Sequence, residues 1–134
     1  VDIYPTLCDL AGFEKPGHLE GDSFAELLQN PSGPRKRAAF SQYPRGNIMG
    51  YSMTTDRFRY TEWVDQKKDN EVVFAELYDH QDDPQENENV INSSRYASEL
   101  QRLRAWHAEG WQGTRSALHS NLECFVMRRL HLFF

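Results

Sequence analysis

Several features that mark self-contained classes of protein are missing from this sequence of 134 residues. It has only two cysteines, Cys8 and Cys124, and neither belongs to a CxxC pair, which argues against a disulfide framework and against a zinc site. No apolar stretch approaches the roughly 20 residues that cross a bilayer. There is no long basic run, and the net charge is -5. We therefore expect neither a membrane nor a nucleic acid as partner.

The motifs of self-contained catalysis are also missing. We find no glycine-rich phosphate loop, no nucleophile elbow and no pair of histidines at helical spacing. The densest group of potential metal ligands, residues 79–83 (DHQDD), lacks the glycine and the ligand spacing of a calcium loop. Acidic residues beside an Asp-Pro step are typical of turns and caps, so we expect no metal ligands here.

Three segments have helical patterns. Residues 2–11 begin with a potential cap, Asp2, and end at Gly12. A second short helix is predicted over residues 23–29. A third, amphipathic helix is predicted from Ser94 to about Gly110, and its apolar stripe consists of Tyr96, Leu100, Leu103, Trp106 and His107.

Between the second and third helices the sequence is typical of strands. Runs rich in aromatic and β-branched residues cover 38–43, 49–54, 58–64 and 72–79. The short connection at 54–57 predicts an antiparallel hairpin. The predicted fold class is therefore α+β, a four-stranded antiparallel sheet with a helix packed across one face.

The connection between the first two predicted strands carries the most informative polar residues. Eight of the 15 basic residues lie between Arg35 and Lys68. Within this region a loop containing proline and glycine carries Tyr43, Arg45, Asn47 and Tyr51. A guanidinium, an amide and aromatic rings are suited to an anion or a sugar. An ordinary hairpin connection on a solvated face explains the same residues, and residue chemistry alone favours that interpretation.

Five segments carry motifs that occur together in one enzyme family. Residues 1–12 (VDIYPTLCDLAG) and 19–24 (LEGDSF) are similar to a segment in the late part of type I sulfatases. Residues 37–45 and 49–63 resemble the iduronate-2-sulfatase-like branch, and residues 76–89, which begin ELYD and continue to DP, Glu and Asn, resemble a strand and loop common to sulfatases. These segments follow one another in the same order as in the family, and they extend over residues 1 to about 112.

The resemblance implies the C-terminal part of an alkaline-phosphatase-like sulfatase. Residues 1–30 would be terminal helices of the α/β catalytic domain, residues 31–112 the C-terminal α+β subdomain, and residues 113–134 an atypical tail, either an apolar partner helix or read-through. In the family, a formylglycine made from a C/S-x-P/A-x-R motif is the nucleophile, and a calcium ion flanks it. Neither Cys8 nor Cys124 fits that motif. We therefore expect no catalytic residue and no ligand of the calcium in this chain.

Three hypotheses follow from the resemblance. The first is a part of a sulfatase acting on sulfated sugars, whose partner is a catalytic domain outside the chain; the start at Val1 rather than Met favours this. The second is a non-enzymatic module that binds a polyanion or a carbohydrate. The third is a derived chain without a function of its own. The compartment implied by the resemblance is periplasmic, secreted or lysosomal.

Overall fold

A computed structural model describes residues 1–113 of the chain. These residues fall into two compact units, divided between Arg35 and Lys36. The predicted tail lies outside the described residues except for Gly113. The predicted boundaries of the subdomains, at residues 30 and 112, stay predictions.

The first unit contains two short helices, α1 (Ile3–Ala11) and α2 (Ala25–Gln29). Helix α1 ends at Gly12, as predicted, because Gly12 adopts a left-handed conformation with φ 71°. The prediction that Asp2 caps α1 was wrong: its side chain makes no capping hydrogen bond, and Oδ1 accepts one from the backbone N–H of Asp22, 2.9 Å away. Helix α2 begins two residues later than predicted.

The apolar stripe of α1 is exposed. Ile3, Leu7 and Leu10 keep 67%, 56% and 56% of their surface accessible. The side of α1 that is buried instead carries Pro5, Thr6 and Cys8. The first unit therefore presents an apolar surface that no described residue covers.

The second unit is built on one antiparallel sheet with strand order β1-β2-β3-β4. Its strands are β1 (Ala39–Arg45), β2 (Ile48–Thr54), β3 (Phe58–Asp65) and β4 (Glu71–Asp79). A single 3₁₀ turn (Ser94–Tyr96) leads into helix α3 (Ala97–Gly113), whose helical geometry is interrupted at Gly110, φ 69°. The predicted fold class is confirmed, and each predicted strand matches an observed one to within two residues at either end.

Helix α3 covers one face of the sheet. The core contains Met53 of β2, Tyr60 of β3 and Leu77 of β4 together with Leu103 of α3, and these four side chains are fully or almost fully buried. The predicted stripe of α3 faces this core, because Tyr96 and Leu103 belong to it and the remaining members pack around it. We refer to this side of the sheet as the helix-covered face.

Leu103→Ala is expected to destabilise the second unit by about 3 kcal/mol, because it removes a fully buried side chain and leaves a cavity. Gln101→Ala, at an exposed position of the same helix, is the matched control and should change the free energy of unfolding by less than about 0.5 kcal/mol. Urea unfolding followed by tryptophan fluorescence measures both. Equal effects of the two substitutions would contradict this packing.

Candidate functional site

The connection between β1 and β2 is shorter than predicted. The two strands continue to Arg45 and from Ile48, so the turn consists of Gly46, with φ 63°, and Asn47. The prediction that Tyr43 and Tyr51 flank a loop was therefore wrong, because both lie within strands. Pro44 suggested a loop, but β1 is an edge strand, where a residue without an N–H is tolerated.

The strand register separates the four predicted site residues. Tyr43 is opposite Gly50, whereas Tyr51 is opposite Gln42. Since side chains alternate along a strand, Tyr43 and Arg45 share one face of the sheet and Tyr51 lies on the helix-covered face. The structure thus brings Tyr43 and Arg45 together beside Asn47 at the turn, and does not bring the Tyr51 side chain to them.

Three aromatic residues form a line across this second face. Tyr43 of β1, Gly50 of β2, Trp63 of β3 and Phe74 of β4 are successive partners in the register, so their Cβ positions lie on the same side. Tyr43 is 65% exposed and Phe74 is 54% exposed. We call Tyr43, Trp63 and Phe74 the aromatic row.

Trp63 is fixed at the centre of the aromatic row. Its indole lies against Gly50 so closely that a Cβ at Gly50 would come within 2.8 Å of the ring. The indole Nε1–H donates to Oε2 of Glu76 at 2.8 Å, and the Tyr78 hydroxyl donates to Oε1 of the same carboxylate at 3.2 Å. The glycine and the carboxylate together hold the ring flat against the sheet.

Arg45 adds a positive charge beside Trp63, the central member of the aromatic row. Its guanidinium carbon lies 5.8 Å from the centroid of the Trp63 ring, which is within the range of a cation–π contact. No carboxylate of the described residues pairs with Arg45 in a salt bridge. An exposed guanidinium beside exposed aromatic rings is suited to a ligand that has an anionic group and a flat apolar surface.

Sequence reasoning missed Phe74, Trp63 and Glu76 as members of this surface. Alternation along β3 alone places Trp63 on the face opposite Tyr60. The sequence does not reveal the register between the strands. This register includes an irregularity between Trp63 and Val64, which shifts the pairing of the first residues of β4.

Acidic residues at the end of β4 and just after it make structural contacts. Asp79 is 2% exposed and accepts hydrogen bonds from Nε and Nη2 of Arg57, at 2.8 and 2.6 Å. The Arg57 guanidinium is the main cause that lowers the pKa of Asp79 to about 2. Asp82 and Asp83 border a neighbouring pocket of about 390 Å³, where Asp82 pairs with Arg95 and Asp83 accepts the backbone N–H of Glu88. The Arg57–Asp79 pair therefore joins β4 to the β2–β3 turn.

Within residues 1–113, no three His, Cys, Asp or Glu side chains form a group that could hold a metal ion. Cys8 is buried and not in a disulfide. No helix in this part of the chain has the length and apolar character needed to cross a bilayer.

Comparison with known proteins places these features in a family. A family model described as "N-sulphoglucosamine sulphohydrolase, C-terminal" matches residues 1–109. Human iduronate 2-sulfatase is 30% identical over an alignment of 145 residues including gaps, and this alignment covers 77% of this chain and 26% of the relative. The Delta 4,5-hexuronate-2-O-sulfatase of Bacteroides thetaiotaomicron is 32% identical over 110 residues, which cover 78% of this chain and 22% of the relative.

The fold has a counterpart among solved structures. A protein solved in complex with its substrate D-glucosamine-2-N,6-O-disulfate superposes with a TM-score of 0.70 and 27% identity. The match covers 84% of this chain and 24% of that one. The chain therefore spans about a quarter of the length of the relatives that it matches.

The ion pair between Arg57 and the buried Asp79 leads to a prediction about acid stability. The pKa of Asp79 in the fold is about 2, below the value of about 3.9 in an unfolded chain. Its stabilising contribution is therefore complete above about pH 4 and is lost as the pH falls towards 2. Asp79→Asn should lower the melting temperature at pH 7 and make it less dependent on pH between 4 and 2.

Glu99→Gln is the control, since Glu99 pairs with Arg102 one turn away on α3. It should leave the melting temperature at pH 7 almost unchanged. Thermal unfolding followed by circular dichroism at a series of pH values measures both variants. An Asp79→Asn profile parallel to that of the unmodified chain would show that the carboxylate does not stabilise the fold.

Proposed function

The chain belongs to the sulfatase family, whose C-terminal domain it matches over residues 1–109. We propose that it is part of a sulfatase that hydrolyses sulfate esters of sulfated sugars. The relatives named above are sulfatases, and the solved neighbour binds a sulfated glucosamine. The proposal extends that chemistry to a protein of which this chain forms the C-terminal part.

In this proposal the bond-breaking groups come from outside the chain. The formylglycine and calcium of the family have no counterpart in residues 1–113: Cys8 is followed by Asp-Leu-Ala rather than by the maturation motif, and the described carboxylates form no group that fits calcium. We therefore assign no catalytic step to any described residue. The chain's contribution is to bind and orient the substrate.

Arg45, Asn47 and Tyr43 are the residues that we propose contact the sugar. The observation that carries this proposal is the exposed Arg45 guanidinium, which has a flat aromatic partner and no carboxylate partner among the described residues. A guanidinium can bind a sulfate or carboxylate with two parallel hydrogen bonds. Asn47 supplies an amide at the turn, and the Tyr43 ring supplies an apolar surface for a sugar face. The Tyr51 side chain lies on the other face and takes no part.

The partner that we propose for the first unit is the catalytic part of the protein. The exposed stripe of Ile3, Leu7 and Leu10 on α1 is an apolar surface of the kind that is buried at a domain interface. Burial of such a stripe contributes a few kcal/mol at roughly 25 cal/mol per Å² of apolar area. That contribution is comparable to the whole stability of a small domain.

A carbohydrate-binding module without catalytic activity is the second candidate. The same exposed surface around Arg45 favours it, because binding alone needs no nucleophile. The reading frame upstream of Val1 separates the two candidates. An in-frame Cys-x-Pro-Ser-Arg motif supports the sulfatase, and an upstream frame that is complete without this motif supports the binding module.

The 134-residue chain by itself is expected to hydrolyse no sulfate ester, because its described residues lack the nucleophile and the metal site. Release of the fluorescent alcohol from an aryl sulfate ester measures the activity of the purified chain. Turnover that remains through successive purification steps and scales with the amount of chain would refute the expectation.

In the sulfatase that carries the chain, Arg45→Ala should raise KM for a sulfated uronate disaccharide about 10- to 100-fold. The basis is that a charge-assisted hydrogen bond contributes about 1.5–3 kcal/mol. Gln42→Ala is the matched control, because Gln42 is equally exposed on the same strand but lies on the opposite face. Neither substitution should change the melting temperature by more than about 2 °C. Equal KM values for the two variants would show that Arg45 does not contact the substrate.

A further inference from the structure

We propose that the aromatic row is a second sugar subsite, which holds a further ring of a sulfated oligosaccharide beyond the ring bound at Arg45. This inference rests on the proposed function, because it takes the Arg45 guanidinium beside Trp63 as the place where the anionic group binds. It adds a ligand class, an oligosaccharide rather than a single sugar, and assigns Trp63 and Phe74 to its recognition.

The length of the row supports an extended ligand. Tyr43 and Phe74 lie on the two edge strands, separated by three strand spacings. At about 4.8 Å for each spacing, the row extends about 14 Å, which is wider than one sugar ring. More than half of the surface of each of these two side chains is exposed, so both ends of the row are accessible.

The rigidity of Trp63 supports binding by stacking. Its ring is seated against Gly50 and hydrogen-bonded to Glu76, which is itself hydrogen-bonded to Tyr78. An aromatic ring that is already fixed loses little conformational entropy when a ligand stacks on it. The flat surface between Tyr43 and Phe74 is thus present before the ligand arrives.

The surroundings of the row favour a sugar over an apolar protein segment. The next row across the same face consists of hydroxyl and carboxylate residues, Ser41, Ser52, Thr61 and Glu76. Within it the Ser52 and Thr61 hydroxyls lie 2.9 Å apart and share a hydrogen bond. Thr61 is buried, so the polar groups that a ligand can reach beside the rings are Ser41, the partly exposed Ser52 and the Arg45 guanidinium. Aromatic rings bordered by such groups match the apolar faces and polar edges of a sulfated sugar chain.

Isothermal titration calorimetry on the 134-residue chain tests the inference with two probes, a sulfated uronate-hexosamine disaccharide and the corresponding tetrasaccharide. The tetrasaccharide should bind about 10-fold more tightly than the disaccharide. Phe74→Ala should abolish most of that difference while leaving the disaccharide affinity unchanged. Phe74→Leu, which keeps apolar bulk but removes the ring, should behave in the same way and provides a second variant in case the first fails to fold.

Val72→Ala is the matched control, since Val72 lies on the same strand with 49% exposure and is opposite Val64 rather than in the row. It should leave both affinities unchanged. Equal affinities for the two probes, equal effects of Phe74→Ala and Val72→Ala, or no binding of the tetrasaccharide would overturn the subsite. Arg45→Ala separates this outcome from the proposed function: if it weakens the disaccharide while Phe74→Ala has no effect on the tetrasaccharide, only the second subsite fails.

Discussion

Leu103 of α3 packs into one core with Met53, Tyr60 and Leu77, and this packing determines what each face of the sheet can do. With Leu103 in place, His107 reaches the carbonyl oxygen of Tyr51 at 3.1 Å and stacks edge-on against Tyr60. The helix-covered face of the sheet is therefore occupied by core packing. Any ligand of the second unit that uses a sheet surface must bind to the opposite face.

On that opposite face, Gly50 has a role that no other residue type could perform. Any side chain at this position would collide with the Trp63 ring, which would then have to shift from its present position. With the ring in place, Arg45 can lie over it, and Tyr43 and Phe74 extend the same surface in both directions. The surface that we propose for sugar binding therefore depends on a missing side chain in the centre of the sheet as much as on the aromatic residues.

Much of the fold was predictable because the sequence patterns are local. Alternation along the strands and the 3.6-residue stripe of α3 place the core residues on the correct sides. The errors concern interactions that link distant residues. Asp2 does not cap its own helix because Asp22, 20 positions away, occupies its carboxylate. The sequence groups Tyr51 with Tyr43 in one loop, whereas the register set by the two-residue turn places their side chains on opposite faces of the sheet. Phe74 joins the row only through a pairing across β3.

The central claim is that the face carrying the aromatic row, and not the helix-covered face, contacts a sulfated sugar. Chemical-shift mapping by NMR tests it most directly, because Trp63 has an indole N–H bonded to Glu76 that reports on its own ring. Titration with the sulfated tetrasaccharide should shift this indole resonance and the backbone amides of Tyr43, Arg45 and Phe74, and leave the amides of α3 unchanged. Shifts concentrated in α3 or α1, with the Trp63 indole unmoved, would contradict the account.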